Sequence, residues 1–419
     1  MLKGALLIAF ASLSFLCSAQ LEEARRITKA LCSETYFGRG YIKGGDSLAA
    51  LFLEKEFKKR GLKKSGKSYL QPFLMDVNTF PGNMEVTLGG KTLVPGKDYI
   101  VDPASGSIAH SGHPQVLTAE QIISRDLIRQ VYNQTKEKRA NGYLLDKRGW
   151  SGDSLKRLQA QIGELAAIGP VWIVTDEKFT FSVSDVQYPH AVVYIKGSAY
   201  TPGTEISANI DAVWRKNHCA NNVIATLPAR KKTKNTIFFT AHYDHLGGMG
   251  AQTFFPGGND NASGTSMLFT LADYFLKNPI DYNIVFIAFA GEEAGLLGSS
   301  HYVQHPTVKL KDIRFLLNLD IMGSGEEGIT VVNATLFPKE FETLLALNAQ
   351  NQYLPLVKKR GEAANSDHYW FTKAGVPAFF IYTMGDNKHY HDVFDTYEEL
   401  SFSEYADITQ LIAGFVKTL

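Results

Sequence analysis

The sequence predicts an α/β fold: a mostly parallel mixed sheet sandwiched by helices, with an inserted β-rich domain. From Asn222 onward, apolar runs alternate with helical patterns along the chain. These runs are continuously apolar, as expected for strands buried on both faces of a parallel sheet. Between residues 71 and 213, short alternating runs are separated by Gly, Pro and Asp turns instead. That pattern is typical of a β-rich domain.

Length and composition indicate an ordinary globular protein. The chain has 419 residues, of which 45% are hydrophobic and 20% charged, which excludes disordered, collagen-like and coiled-coil classes. At roughly 150 residues per domain, two or three units are expected. Lys+Arg is 43 against Asp+Glu 42, so the chain lacks the broad positive field that a nucleic-acid partner would require.

The first 19 residues have the pattern of a secretory signal peptide. Lys3 precedes an apolar stretch, 5–16, and small residues lead to Gln20. Cleavage after Ala19 and export to the periplasm or the exterior are predicted. A lipid anchor on Cys17 is the alternative, although Leu16 occupies a position that a small residue usually fills. No later segment has the length and apolar composition of a membrane helix.

Two cysteines, Cys32 and Cys219, remain after the predicted cleavage. In an oxidising compartment a disulfide between them is possible. Two buried free thiols are equally compatible with the sequence, because spacing does not establish the geometry that a bridge requires.

The elements before the strand–helix alternation are predicted from residue periodicity. Two amphipathic helices are expected at the amino end and two more within the β-rich segment, at Glu22–Leu31, Ser47–Arg60, Thr118–Asn133 and Ser154–Ala167. Gly61 ends the second of these. Glu85–Leu88 and Ala191–Ile195 read as strands. The run 88–92 lacks the upstream glycine of a phosphate-binding loop and is predicted to be a hairpin turn.

The remaining chain predicts the large sheet. Strands are expected at Thr236–Ala241, Asn283–Ala290, Phe315–Leu319, Ile329–Asn333 and Ala378–Thr383. Helices are expected at Ala262–Leu276, Gly295–Val303, Lys339–Asn351, Ser366–Ala374 and Ser403–Leu419. The predicted division is a signal peptide (1–19), a helical amino-terminal part (20–70), the β-rich insert (71–213) and a second part of the sheet domain (214–419).

Imidazoles and carboxylates follow several of these strands. The residues concerned are His242, Asp244 and His245 after the first strand, Asp260 before its helix, Glu292 and Glu293 after the next, Asp320 after the third, and Tyr390, His391 and Asp395 after the last. Ligands of open α/β sheets bind at the carboxyl ends of strands. Each residue alone has an ordinary structural explanation, such as a helix cap or a charge that complements a helix dipole.

The coincidence of these groups at one sheet edge predicts a metal site. So many carboxylates in one place repel each other unless a cation lies between them. Histidine and carboxylate ligands without a thiolate suit Zn²⁺, and catalytic sites leave one position open for water.

These residues resemble the two-zinc aminopeptidases and related metallopeptidases of the M28 family. The resemblance covers essentially the mature chain and is strongest from Asn222 to Thr396. Phe37-Gly38-Arg39-Gly40 looks like the family's opening, and the β-rich segment occupies the place of a protease-associated insert. The resemblance implies a zinc-exopeptidase-like fold, an aminopeptidase that hydrolyses N-terminal residues from peptides, and two Zn²⁺ ions per chain.

The resemblance also implies individual roles. Asp260 would bridge both ions, with His242 and Asp320 on one and Glu293 and His391 on the other. Glu292 resembles the general base, and Tyr390 the tyrosine that helps to bind the tetrahedral intermediate. Asp244 resembles the residue that orients His242, and Asp395 is expected to act in a similar way near His391. The bond after the bridging aspartate is often cis in the family, and Ser366-Asp367-His368 fits the family in a structural role.

Three other functions remain open from the sequence. Glutaminyl-peptide cyclotransferases share the scaffold, although 259–264 and Tyr390 look like the peptidases. A carboxypeptidase would need residues that clamp a substrate carboxylate, and the sequence has no obvious cluster of that kind. A binding module without activity would be expected to lack the ligands or the base. Neither Gly-x-Ser-x-Gly nor His-Glu-x-x-His occurs, which leaves serine hydrolases and the other common zinc peptidases without support.

Overall fold

The computed structural model describes residues 20–419. Its α-helices are α1 (20–31), α2 (Gly45–Lys59), α3 (Ala119–Ile123), α4 (Leu127–Tyr132), α5 (Lys136–Asn141), α6 (Asp153–Ala166), α7 (Gly264–Lys277), α8 (Leu297–Gln304), α9 (Pro338–Asn351), α10 (His368–Lys373) and α11 (Tyr405–Val416). Short 3₁₀ turns lie at Glu34–Arg39, Gly197–Ala199, Leu310–Asp312 and Tyr397–Glu399, and a π-type turn precedes α7 at Gly258–Ser263.

The strands fall into three stretches of the chain. The first contains β1 (Lys63–Lys64) and β2 (Leu70–Thr79). The second contains β3 (Met84–Leu88), β4 (Lys91–Thr92), β5 (Tyr99–Val101), β6 (Ile108–Gly112), β7 (Gln115–Val116), β8 (Tyr143–Asp146), β9 (Val171–Thr175), β10 (Val192–Lys196) and β11 (Ile206–Ile210). The third contains β12 (Val213–Leu227), β13 (Thr236–His242), β14 (Gly248–Met249), β15 (Thr253–Phe254), β16 (Asn283–Phe289), β17 (Ile313–Asp320), β18 (Gly328–Val332), β19 (Val357–Lys359) and β20 (Ala378–Met384).

A large mixed sheet has the strand order β1-β12-β16-β13-β17-β20-β18-β19, with β2 also paired to β12. Its centre, β16-β13-β17-β20, is parallel. β12 and β18 run antiparallel to their neighbours β16 and β20. The predicted fold class, a mostly parallel mixed sheet between helices, is confirmed.

Helices cover both faces of this sheet, which explains the continuous apolar strands. Every residue of β13 is buried. Ile237 and Phe239 join a core with α2, α7, α9 and α11, whereas Phe238 joins Tyr302 of α8 and Phe371 of α10 on the opposite face. Because successive strand side chains point to opposite faces, a strand buried on both sides has no polar alternation.

Two smaller sheets are built from residues 84–210. The order in one is β5-β10-β9-β8-β7, and in the other β4-β3-β11-β6. The predicted hairpin turn is confirmed, since Leu88 pairs with Lys91 in antiparallel register. β2 and β12, which flank this part of the chain, pair with each other in the large sheet. The predicted division into domains remains a prediction.

One predicted helix is wrong as a single element. The pattern over Thr118–Asn133 forms two short helices, α3 and α4, because Ser124 leaves the helix with extended backbone. The Ser124 hydroxyl accepts from the N–H of Asp126 at 3.3 Å. Local side-chain bonds of this type compete with helical ones. The other predicted helices correspond to observed ones, with ends that shift by a few residues.

The predicted signal peptide and Cys17 lie outside the described residues. Both cysteines are free thiols in the structure, but they are not both buried as that alternative expected: Cys32 is partly buried and Cys219 is exposed. None of the helices formed by residues 20–419 combines the length and apolar character needed to cross a membrane.

Candidate metal centre and active site

Adjacent strands of the large sheet deliver the predicted residues to one edge. His242 ends β13 and Asp320 ends β17. Glu292 and Glu293 follow β16 by a few residues, and β20 leads into the loop that carries His391. Because these four strands are parallel neighbours, their carboxyl ends converge. Asp260 reaches the same edge from the turn before α7.

Asp260 stands between two groups of donor atoms. Its Oδ1 lies 3.3 Å from His242 Nε2, which is also 3.3 Å from Asp320 Oδ1. Its Oδ2 lies 3.1 Å from His391 Nε2, which is 3.3 Å from Glu293 Oε2. The two oxygens of one carboxylate therefore belong to two separate donor groups. The peptide bond from Asp260 to Asn261 is cis, as the resemblance implies.

These spacings fit divalent cations. Zinc bonds of about 2.0–2.2 Å to nitrogen and oxygen place tetrahedral donors about 3.3–3.6 Å apart. Asp320 Oδ1 is buried without a hydrogen-bond partner, which is costly for a carboxylate oxygen unless it faces a cation. His242, Asp260 and Asp320 place one donor atom each within 4.8 Å of one another. The residues present therefore fit a metal, and their oxygen and imidazole donors suit zinc.

The carboxylates dominate the electrostatics of both imidazoles. Burial acts to lower the pKa of His391, but Glu293 and Asp260 raise it to about 11. Burial also acts to lower the pKa of His242. The charges of Asp320, Glu292 and Asp260 outweigh it and raise that pKa well above its usual value. For Asp260, burial would raise the pKa, yet hydrogen bonds with both imidazoles hold it well below the ordinary range. A cation that binds here must therefore displace protons from histidine.

Glu292 lies beside the donor groups in a half-buried position. Burial raises the pKa of its carboxyl well above the usual value, and the charge of Glu293 adds to this rise against the opposing effect of His242. A carboxyl whose pKa is moved toward neutrality is suited to accept and return a proton.

Asp244 makes contacts that differ from the expected one. The His242 Nδ1–H donates to the backbone oxygen of Asp244 at 3.1 Å, whereas the nearest carboxylate oxygen is 3.8 Å away. The carboxylate instead accepts from the Tyr41 hydroxyl at 2.8 Å and from the N–H groups of Glu292 and Glu293 at 3.2 and 3.4 Å. Asp244 thus ties the Glu292–Glu293 turn to the end of β13.

Asp395 also has partners other than the expected one. Its carboxylate accepts from the N–H groups of Asn259 and Asp260 at 2.8 and 3.0 Å, and so fixes the turn that carries Asp260. His391 is oriented by Phe181, far away in sequence. The His391 Nδ1–H donates to the Phe181 carbonyl at 3.0 Å, and the Phe181 N–H donates to the His391 carbonyl at 2.8 Å.

Two contacts to the carboxylates of Glu293 and Asp320 were not predicted from the sequence. The His245 Nδ1 lies 2.8 Å from Glu293 Oε1. The Ser366 hydroxyl, predicted to be structural, donates to Asp320 Oδ2 at 3.3 Å and accepts from the Asn318 amide at 2.8 Å. The only signal for His245 was its place three residues after His242 at the same strand end.

Arg39 is a fully buried guanidinium behind the site. It donates to the backbone oxygens of Tyr243 at 2.7 Å, Pro256 at 2.6 Å, Gly257 at 2.7 Å and Leu31 at 3.0 Å. These bonds hold together the two loops that flank the donor groups.

A cleft of about 280 Å³ opens over the donor groups. The donors that line it are His242, Asp260, Asp320 and His391, and the other lining side chains are Glu292, Ile321, Arg360, Asn365, Phe380, Tyr382 and Tyr390. The Tyr390 ring stacks on His391 with centroids 3.9 Å apart, and 48% of the residue remains exposed. Burial and the nearby carboxylates raise the pKa of Tyr390, so its phenol keeps the proton at neutral pH.

Two histidines, several carboxylates and an adjacent glutamate at the strand ends of a parallel sheet are the arrangement expected of a metallopeptidase. Residues 222–416 match the model of Peptidase family M28. Residues 222–416 thus carry the peptidase domain of this family, and the chain is a zinc metallopeptidase, as the resemblance implied.

The comparisons extend over most of the chain. Aminopeptidase YwaD of Bacillus subtilis is 28% identical over 380 residues, covering 83% of this chain and 77% of the relative. A probable leucine aminopeptidase of Trichophyton verrucosum is 31% identical over 198 residues, and the chain spans 55% of its length. The crystal structure of BSAP, a zinc aminopeptidase from Bacillus subtilis, superposes with a TM-score of 0.65 at 21% identity, covering 94% of this chain and 95% of that one. This likeness concerns the fold.

Proposed function

We propose that this chain is a two-zinc aminopeptidase that removes N-terminal residues from peptides. The observation that carries the proposal is the Asp260 carboxylate, whose two oxygens face different histidines at 3.3 and 3.1 Å. One carboxylate shared in this way suits a pair of ions better than a single one. The names of the Bacillus and Trichophyton relatives support the aminopeptidase assignment.

The donors divide into two sets with Asp260 in common. His242 and Asp320 would hold one ion, and Glu293 and His391 would hold the other. Zinc bound in such a pair supplies Lewis-acid polarisation of the scissile carbonyl and lowers the pKa of a coordinated water toward neutrality.

Glu292 is assigned the proton transfers. Its carboxylate takes a proton from the attacking water and returns it to the leaving amine. The Asp244 carboxylate holds the Glu292 N–H at 3.2 Å, which fixes the backbone from which Glu292 reaches the cleft. Glu293, whose N–H also donates to Asp244, is free to act as a ligand because successive residues of a turn point in different directions.

Tyr390 is assigned to the oxyanion. Its protonated phenol lies in the wall of the cleft, on top of His391. From there it can donate a hydrogen bond to the charge that develops on the carbonyl oxygen, and donors of this kind stabilise the transition state.

A substrate panel tests the proposal with the mature chain, residues 20–419. Leucyl amide, N-acetyl-leucyl amide and a glutaminyl peptide would be compared before and after treatment with a chelator. Hydrolysis that requires the free amine, is lost with the chelator and returns with zinc is expected. Cyclisation of the glutaminyl peptide without hydrolysis would instead indicate a cyclotransferase, and cleavage from the carboxyl end a carboxypeptidase. A chain that binds zinc but turns over none of these substrates would fit the binding-module alternative.

Export belongs to the same proposal. The pattern of residues 1–19 supports cleavage after Ala19, and the amino-terminal sequence of protein recovered outside the cytoplasm would then begin at Gln20. Residues 71–213 are proposed to form the protease-associated-like insert, and its contribution to the site is the Phe181 backbone that contacts His391.

A further inference from the structure

Arg360 is fixed at the rim of the cleft although its side chain is exposed. It directly follows β19, and its N–H donates to the carbonyl of Val331 in the adjacent strand at 3.0 Å. Its Nη1 donates to the Tyr382 hydroxyl at 2.9 Å. Tyr382 is the register partner of Asp320 in the neighbouring strand. The guanidinium is therefore joined, through the Tyr382 side chain, to the residue that pairs with Asp320 in the sheet.

The charge of Arg360 is not neutralised within the protein. The ion pairs found among residues 20–419 do not include Arg360, whereas Arg60 and Arg230, two other arginines near the large sheet, are both paired with carboxylates. Among the described side chains that line the cleft, Arg360 is the one arginine or lysine. The residue is exposed, and among residues 20–419 its guanidinium is hydrogen-bonded to Tyr382.

The surroundings of Arg360 favour an anionic partner that is planar and enters from the cleft. Phe380 and Tyr382 form an aromatic wall with ring centroids 5.4 Å apart, which reduces the access of water on that side. Asn365 lines the same cleft with an exposed amide. A guanidinium offers two parallel N–H donors to a carboxylate, and such bidentate pairs are among the stronger hydrogen bonds of proteins.

We propose that Arg360 recognises a carboxylate of the peptide substrate in the cleft over the donor groups. The inference rests on the proposed peptidase function and adds a substrate class to it. Two sources supply this chemistry: the side chain of an N-terminal Asp or Glu, and the free carboxyl end of a dipeptide. Asn365 would donate a further hydrogen bond to the same group.

The experiment compares matched substrates that differ in one carboxylate. Glutamyl- and glutaminyl-4-nitroanilide test the side-chain source, and leucylglycine and leucylglycine amide test the terminal source. For each pair, the ratio of kcat/KM with and without the carboxylate is measured in the zinc-loaded wild type, in Arg360→Met and in Arg360→Lys. Lys358→Met, an exposed lysine of β19 outside the cleft, is the control for general loss of charge.

The wild type is expected to favour the carboxylate in at least one pair. Arg360→Met should lower that ratio by about 10- to 150-fold, because hydrogen bonds to charged groups contribute about 1.5–3 kcal/mol. Arg360→Lys should lower it less, and Lys358→Met should leave it within about twofold. The pair affected identifies which carboxylate is bound.

Ratios near one for both pairs in the wild type, or ratios that Arg360→Met does not change, would overturn the inference. Failure of the proposed function gives a different result, since the leucyl substrates would then show no zinc-dependent hydrolysis in any variant. Binding of zinc by Arg360→Met at the wild-type stoichiometry establishes that the variant is folded around its metal site.

Discussion

Replacement of Asp260 by Asn tests the shared carboxylate that organises the site. The amide keeps the size of the side chain but loses its charge, and only one of its two terminal atoms remains able to bind a metal. The two contacts at stake are those of Oδ1 beside His242 and Oδ2 beside His391, 3.3 and 3.1 Å from the imidazole nitrogens. Both metal positions should weaken, and the one that faces the amide nitrogen should weaken most.

The magnitude follows from the loss of one charge-assisted contact per metal. Each such contact contributes about 1.5–3 kcal/mol, which corresponds to about a 10- to 150-fold loss of affinity at each position. After dialysis against a moderate zinc buffer, Asp260→Asn should therefore hold fewer than two ions per chain. Metal content would be counted by mass spectrometry, and affinity measured by competition with a chromogenic chelator.

The matched control is Asp281→Asn, which removes an exposed carboxylate that pairs with Arg230 on the surface. Its metal content and affinity should equal those of the wild type. Two tightly held ions in Asp260→Asn, with affinities within about twofold of wild type, would refute the assignment of Asp260 as the shared ligand. A circular-dichroism melting curve for each variant separates loss of metal from loss of fold.

Three further predictions concern proton transfer, metal affinity and stability. Glu292→Gln should retain its zinc while kcat falls by about 10²- to 10⁴-fold, the usual contribution of a general base. Metal analysis and a leucyl amide hydrolysis assay check this. Turnover at the wild-type rate would show that Glu292 is not the general base. The carboxylates of Glu293 and Asp260 raise the pKa of His391 to about 11, so zinc must displace a proton from this histidine when it binds. Zinc affinity should therefore fall as the pH is lowered from 8 to 6. A zinc affinity that does not change with pH, measured by competition with a chelator, would contradict this. His368 is buried with its pKa lowered to about 4, chiefly by burial, so the free energy of unfolding should fall by up to about 3 kcal/mol as the pH falls from 6.5 to 4. Urea titrations across this range should show a smaller fall in His368→Phe, and an equal fall would show that another group is responsible.

The sequence predicted the large sheet well because its strands leave a strong local signal. Thr236–His242 and Ala378–Met384 are apolar runs that pair in the centre of the sheet, where both faces need apolar side chains. The convergence of the proposed metal donors was predictable for a related reason. Parallel strands end at one edge, so polar residues placed just after them meet in space.

Contacts that depend on loop geometry were not predictable. Asp244 and Asp395 were expected to orient histidines; in the structure both carboxylates accept from backbone N–H groups of turns, and Asp244 contacts His242 through its backbone oxygen. The positions of such donors follow from loop dihedral angles that residue types do not specify. The contact between Phe181 and His391 joins segments about two hundred residues apart, and backbone groups make it, so no side-chain pattern announces it.

The position of Arg360 at the rim of the cleft could not be predicted from the sequence for another reason. In the sequence it follows Lys358 and Lys359 and looks like part of a solvated basic run. The register of β18 with β19 and β20 brings it beside Tyr382 at the rim of the cleft. Pairing between distant strands, rather than local composition, separates its environment from that of its neighbours.

A zinc titration of the chelator-treated chain tests the central claim most directly. Bound zinc and the rate of leucyl amide hydrolysis would be followed together, with N-acetyl-leucyl amide as the blocked substrate. The account predicts that activity depends on zinc, requires the free amine and reaches its maximum at two bound ions per chain. Full activity without metal, a maximum reached at one bound ion, or equal hydrolysis of the acetylated substrate would contradict it.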